Sequence, residues 1–177
     1  MRALLACLVA STLAHAESPR LLDRAGQPVH LSSLQTDVTV FAFWATFCHP
    51  CLDELPSLDA LAKALGPSVA VLAVSIDPEA RHEQIRAVAA DKKLTLPVVH
   101  DVDRALFAHF FPKMAATGNV SVPQLVVVDR RGLGFTTSGF DPDEPVANFV
   151  ARLESVVVRV QSGSRRIPYE GWRRFSR

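Results

Sequence analysis

Two kinds of apolar run alternate along this chain, and the difference between them predicts its elements. Val38-Thr39-Val40-Phe41-Ala42-Phe43-Trp44 is apolar without alternation, as expected of a central strand covered on both sides. Val69–Ile76 repeats the pattern, and Gln124–Asp129 reads as a further strand. Elsewhere the spacing is helical. Leu52, Leu55, Leu58, Leu61 and Leu65 recur every three or four residues up to Gly66-Pro67, which stops the helix. A second helical pattern runs from Pro78 to about Lys93 through Ile85, Val88 and Ala89. Asp103 is placed to cap a third, through Leu106, Phe107, Phe110 and Phe111, which Pro112 ends. A last amphipathic helix is expected from Pro145 to about Val160.

Shorter signals fill the gaps. Leu21 to Leu31 reads as a hairpin turning near Gly26, and Ser32-Ser33-Leu34 as a short helical turn. Leu96-Pro97-Val98-Val99 is extended, and Leu133–Ser138 returns from a turn at Arg130-Arg131-Gly132 as the second arm of a hairpin. Strands alternating with helices, then a hairpin, then a helix, predict an α/β fold. Its mixed central sheet carries helices on both faces. The segment after Trp44 then falls at the carboxyl end of a central strand, where open α/β sheets place their sites.

That segment is Cys48-His49-Pro50-Cys51. Cysteines at i and i+3 on the opening turn of a helix share a face, with Cα atoms expected roughly 5–6 Å apart, within the range of a disulfide. Cys48 is expected at the exposed end, where unpaired backbone N–H groups and the positive end of the helix dipole favour a thiolate. Cys51 is expected one turn further in and more buried. Cys48 is thus the candidate nucleophile toward a partner's disulfide, and Cys51 resolves the mixed disulfide. Two other uses of the pair compete. A zinc knuckle needs four ligands, and adding His49 leaves the set short. A purely structural disulfide would close too small a loop to constrain the unfolded chain much. No metal and no cofactor is expected beyond the Cys48–Cys51 pair itself.

The ends of the chain bear on compartment. Met1-Arg2, the apolar stretch Ala3 to Leu13 and the triplet Ala14-His15-Ala16 follow one another as charge, apolar core and cleavage site do in a secretory signal peptide. Residues 1–16 are therefore read as a signal peptide, against the alternative of a buried N-terminal helix. Cleavage would remove Cys7, leaving both remaining cysteines in one motif. The body, 17–160, is long enough for one core and shows no linker or repeat. Residues 161–177 form a basic, aromatic tail with Arg165, Arg166, Arg173, Arg174 and Arg177 beside Glu170. Contact with anionic lipid or an acidic partner competes with a solvated extension, which is favoured. The formal charge of the whole 177-residue chain is only +1, and a nucleic-acid partner is not expected. A monomer is expected.

Phe43-Trp44-Ala45-Thr46-Phe47-Cys48-His49-Pro50-Cys51 resembles the Phe-Trp-Ala-x-Trp-Cys-x-Pro-Cys segment of the TlpA/ResA-type thioredoxin-like thiol-disulfide oxidoreductases. Glu54 and Pro56 stand at that family's usual offsets, and Val74-Ser75-Ile76-Asp77, Val122-Pro123 and Val126 to Gly132 follow in its order. The resemblance runs from about Pro19 to Val160. It implies a thioredoxin-like fold with an N-terminal β-hairpin. It also implies a cis Val122–Pro123 bond beside the thiols, with Val122 and Pro123 meeting the bound substrate strand and Phe47 forming an apolar lip. Phe47 replaces the usual tryptophan, and Ala42 stands where cytosolic thioredoxins carry a buried aspartate. Glu54 is a candidate to take over proton handling, the competing reading being an exposed helix glutamate or a dipole partner. Trp44 supports the site from the core beneath it.

His49 and Pro50 act on the direction of transfer. A cationic imidazole beside Cys48 that lowered its thiol pKa by roughly one or two units would shift the pair by about 30–60 mV toward oxidant. The resemblance makes Pro50 a mark of reducing relatives, so reduction is the expected direction. The expected partners are a protein disulfide, an apocytochrome c being one, and a membrane thiol donor of electrons. A dithiol oxidase and a Cu(I)-holding chaperone are the rival readings. A peroxidase is set aside because the cysteine spacing is that of an exchange pair. His30, His82, His100 and His109 have no ligand-like spacing and are read as surface or packing residues. Asp77 is read as a turn or capping residue.

Overall fold

The computed structural model describes residues 18–131, 133–138, 146–162 and 167–168. The expected signal peptide and most of the basic tail lie outside the described residues. Strands β1 (Leu21–Leu22), β2 (Val38–Trp44), β3 (Val69–Ser75), β4 (Val98–Asp101), β5 (Gln124–Asp129), β6 (Leu133–Ser138) and β7 (Ile167–Pro168) form one sheet in the order β1-β4-β3-β2-β5-β6-β7. The pairs β2–β3 and β3–β4 are parallel, while β1–β4, β2–β5, β5–β6 and β6–β7 are antiparallel. Helices α1 (His49–Leu65), α2 (His82–Asp91), α3 (Ala105–Phe110), α4 (Pro112–Thr117) and α5 (Val146–Ser162) complete the architecture.

β2 is central because all seven of its residues can be buried. Phe41 pairs with Leu72 on one side and Val126 on the other. Alternation then sorts its side chains. Phe41 and Phe43 meet Phe110 of α3, with ring centroids 5.6 and 6.2 Å apart, and Phe43 also meets Phe107 edge-on at 5.5 Å. Val40, Ala42 and Trp44 point to the other face, where α1 and α5 pack together. Burying each large side chain in this core contributes about 1.5–3 kcal/mol. On β6 the backbone of Gly134 lies so close to Val127 that any Cβ would collide with its carbonyl.

Several expectations change in detail. The N-terminal hairpin is reduced to two residues of β1, a single bridge from Leu22 to Pro28, and a turn at Gly26 with φ +77°. β1 also pairs with β4, at Asp101 and His100, while the Leu21 carbonyl accepts the Val29 N–H at 2.8 Å across the hairpin. Pro112 does end α3, but it also opens α4, because proline needs no N–H partner in a first turn. Asp103 does not cap α3 in the expected way. Its carboxylate accepts from Ala105 N–H at 3.1 Å and from the backbone of Arg20, while the N–H groups of Leu106 and Phe107 go to the buried Asp101 carboxylate at 3.2 and 2.8 Å.

Candidate active site

α1 starts where it does because Cys48 is extended, with φ −94° and ψ 98°, and Pro50 follows in the first turn. Cys48 is the N-cap: its Sγ accepts the Cys51 N–H at 3.3 Å. The two sulfurs are joined in a disulfide, with Cα atoms 5.3 Å apart. No acidic residue occupies the first turn of α1 to offset its positive end. Cys48 is less exposed than the sequence suggests, at 8%, yet it remains the more accessible of the two cysteines, since Cys51 keeps 1%.

The approach to β2's end is a tight loop. Cys48 N–H donates to the Ala45 carbonyl at 3.0 Å. Thr46 donates its N–H to Asp77 Oδ2 at 2.8 Å and its hydroxyl to Asp77 Oδ1 at 2.7 Å. Ser75 Oγ adds a third donor to Asp77 at 2.8 Å. Asp77 is fully buried, so these donors satisfy its carboxyl oxygens in place of water. Behind it, His100 Nε2 lies 2.9 Å from the Asp77 carbonyl oxygen and His82 Nδ1 lies 3.2 Å from His100 Nδ1. A carbonyl only accepts, so His100 Nε2 is the donor to Asp77, and the Nδ1–Nδ1 contact joins the two rings.

His100 and His82 are packing residues, as expected, but the sequence reading did not join them to Asp77 and Thr46. Asp77 anchors the loop that carries Cys48, more than a local turn or cap, and His100 is buried in the same network, with His82 half-buried against it. The available signal was the polar pair Ser75 and Asp77 ending an otherwise apolar strand beside the motif strand.

The other site residues divide into those near the sulfurs and those below. The Val122 carbonyl oxygen lies 3.7 Å from Cys48 Sγ, and the Val122–Pro123 bond is cis. Both residues are half-buried. Phe47 is 58% exposed, whereas Trp44 is buried, with no hydrogen-bond acceptor for its Nε1 among the described residues. His49 is exposed and Pro50 half-buried. Glu54 is 2% exposed, which overturns the reading of an exposed helix glutamate. No group of three or more His, Cys, Asp or Glu side chains among the described residues is arranged to hold a metal ion.

This arrangement suits one kind of chemistry. A bond between two sulfurs lies at a helix N-terminus, one sulfur reachable and the other shielded, with a backbone carbonyl beside the reachable one. Opening that bond would leave the Cys51 N–H aimed at a Cys48 thiolate.

The chain matches the AhpC/TSA family over residues 13–133. It is 33% identical over 110 residues to the thioredoxin-like protein YneN of Bacillus subtilis, covering 62% of this chain and 60% of that protein, so it spans less than two thirds of that relative. It is 30% identical over 101 residues to the thioredoxin-like protein slr1139 of a Synechocystis species, covering 57% of this chain and 84% of that one. Among solved structures, a thioredoxin-related protein from Neisseria meningitidis serogroup B superposes with a TM-score of 0.62 at 23% identity, covering 80% of this chain and 98% of the other. A secreted disulfide oxidoreductase of Mycobacterium tuberculosis superposes with a TM-score of 0.57 at 20% identity, covering 76% and 92%. The fold is thioredoxin-like, as the sequence resemblance implies.

Proposed function

As a member of the AhpC/TSA family with a thioredoxin-like fold, the chain is, we propose, an exported thiol-disulfide oxidoreductase of the TlpA/ResA type that reduces protein disulfides. The observation that carries this reading is the Cys48–Cys51 disulfide at the N-terminus of α1, with the Cys48 sulfur 3.7 Å from the Val122 carbonyl.

The cycle balances as follows. The Cys48 thiolate attacks one sulfur of the substrate disulfide, forming a mixed disulfide and releasing the first substrate thiolate. The Cys51 thiolate then attacks Cys48 Sγ and releases the second. Two electrons and the two thiol protons have passed to the substrate, and the Cys48–Cys51 bond has re-formed. A donor dithiol restores the pair by the reverse exchange. At the site, Phe47 supplies apolar contact, Val122 and Pro123 meet the substrate strand, and Glu54 relays the proton of Cys51. Trp44 supports the site from below.

Residues 1–16 act as a signal peptide in this reading. The oxidising exterior then makes a membrane thiol donor necessary. The oxidised cysteine pair of an apocytochrome c is one substrate that suits such a reductant, and the protein works as a monomer. His49 and Pro50 tune the potential, which is expected nearer that of the reducing thioredoxins, about −270 mV, than that of strong oxidants near −120 mV. A potential at the oxidising end would reverse the direction. The decisive experiment traps partners on a Cys51→Ser variant. Disulfide-linked adducts at Cys48 that dithiothreitol releases are expected, and a pair inert to dithiothreitol in the native protein refutes the activity.

A further inference from the structure

Arg81 closes the 3₁₀ turn Glu79–Arg81 and is exposed. Its Nη1 lies 3.2 Å from Thr46 Oγ1, which places a guanidinium on the loop that leads into Cys48. The Thr46 hydroxyl has one proton, and that proton goes to Asp77 Oδ1, so Arg81 donates to the hydroxyl's lone pair. Among the described residues no carboxylate comes within ion-pair distance of Arg81. Four other exposed arginines differ in this respect. Arg20 meets Glu79 at 2.7 Å, Arg86 meets Glu83 at 3.3 Å, Arg130 meets Asp37 at 3.5 Å and Arg131 meets Asp129 at 2.8 Å. The two acidic residues nearest Arg81 in sequence on this face, Glu79 and Glu83, are thus already taken. Asp77 lies behind Thr46, buried, with its oxygens occupied by three donors.

The exposed Phe47 therefore follows directly on Thr46, whose hydroxyl holds the guanidinium of Arg81, so an apolar side chain and a cation without a carboxylate partner both belong to the approach to Cys48. We propose that Arg81 is a specificity-determining residue, favouring polypeptide disulfides with an acidic side chain beside the reacting cysteine. This rests on the exchange activity proposed above. A guanidinium offers a carboxylate two parallel N–H donors, which lysine cannot. Because Arg81 is exposed, the preference is modest, about three- to five-fold in kcat/KM, and screened by salt.

The test uses the full chain, reduced beforehand and freed of reductant, in single turnover. Its substrates are three disulfide peptides identical except for Asp, Asn or Lys next to one cysteine. Wild type is expected to prefer the Asp peptide over the Asn peptide at low salt, and to lose the preference at high salt. Arg81→Gln should equalise the two, and Arg81→Glu should turn the preference toward the Lys peptide. Equal rates for Asp and Asn peptides in wild type, or an Asp preference that persists in Arg81→Gln, overturn the role of Arg81 while leaving exchange intact. Failure of wild type to reduce any of the three overturns the activity and the specificity together.

Discussion

Asp77 holds Thr46 with both carboxylate oxygens, one on the backbone N–H at 2.8 Å and one on the hydroxyl at 2.7 Å. The two residues each lie two positions beyond the ends of neighbouring parallel strands, so this clasp joins the loop before Cys48 to the segment leaving β3. Truncation at either end tests it. Asp77→Ala leaves three donors without an acceptor, the Ser75 hydroxyl buried and the Thr46 N–H and hydroxyl half-buried, and is expected to cost about 2–4 kcal/mol in urea unfolding of the oxidised protein. Thr46→Val, which keeps the backbone bond, should cost about 1 kcal/mol. A loss below about 0.5 kcal/mol for Asp77→Ala would mean that the loop is held by other means.

Phe47 is the large apolar side chain exposed beside the reachable sulfur. Phe47→Ala is expected to raise KM for a protein disulfide about 3- to 10-fold, with little change in kcat, because contact is lost before and during the reaction alike. Initial-rate kinetics separate the two constants. A fall in kcat alone would assign Phe47 to the chemical step.

Glu54 is buried three residues beyond Cys51, a position that removes it from bulk solvent. If it carries the proton of the resolving thiol, Glu54→Gln alters the pH-rate profile of exchange and not only its height. Superimposable profiles would leave Glu54 a structural residue.

Asp101 and Asp59 predict opposite pH responses of stability. Burial raises the Asp101 carboxyl to about 7 against the N–H groups of Phe107 and Leu106, which act to lower it. The unfolded chain releases this proton near pH 4 while the native protein keeps it. The Asp101 contribution therefore falls as pH rises from about 4 to 7, by up to about 4 kcal/mol, and Asp101→Asn should flatten that slope.

At Asp59, burial acts to raise the carboxyl, but Lys63 and the Leu96 and Thr95 donors outweigh it and hold it at about 2. Its contribution, about 1–2 kcal/mol, is present above pH 4 and lost as pH falls toward 2. Asp59→Asn should therefore cost stability at pH 7 and little at pH 2, as measured by denaturant titration at each pH. Equal costs at both pH values would show that charge is not what Asp59 contributes.

The elements that sequence alone determined are those with local physical causes. β2 and β3 follow from unbroken apolar runs, α1 from leucines at helical spacing ended by Gly66, and the placing of two cysteines on one helical turn from their i, i+3 spacing. Tertiary structure decided what depends on residues distant in the chain. The assignment of α3's free N–H groups to Asp101 over Asp103 turned on which carboxylate the sheet buries beneath that helix. The Thr46–Asp77 clasp spans 31 positions, and the His82–His100 contact spans 18. A polar side chain carries no local mark of the partner that will satisfy it. Burial of Glu54 was likewise a tertiary outcome, because helical periodicity gives a residue its face but not what covers that face.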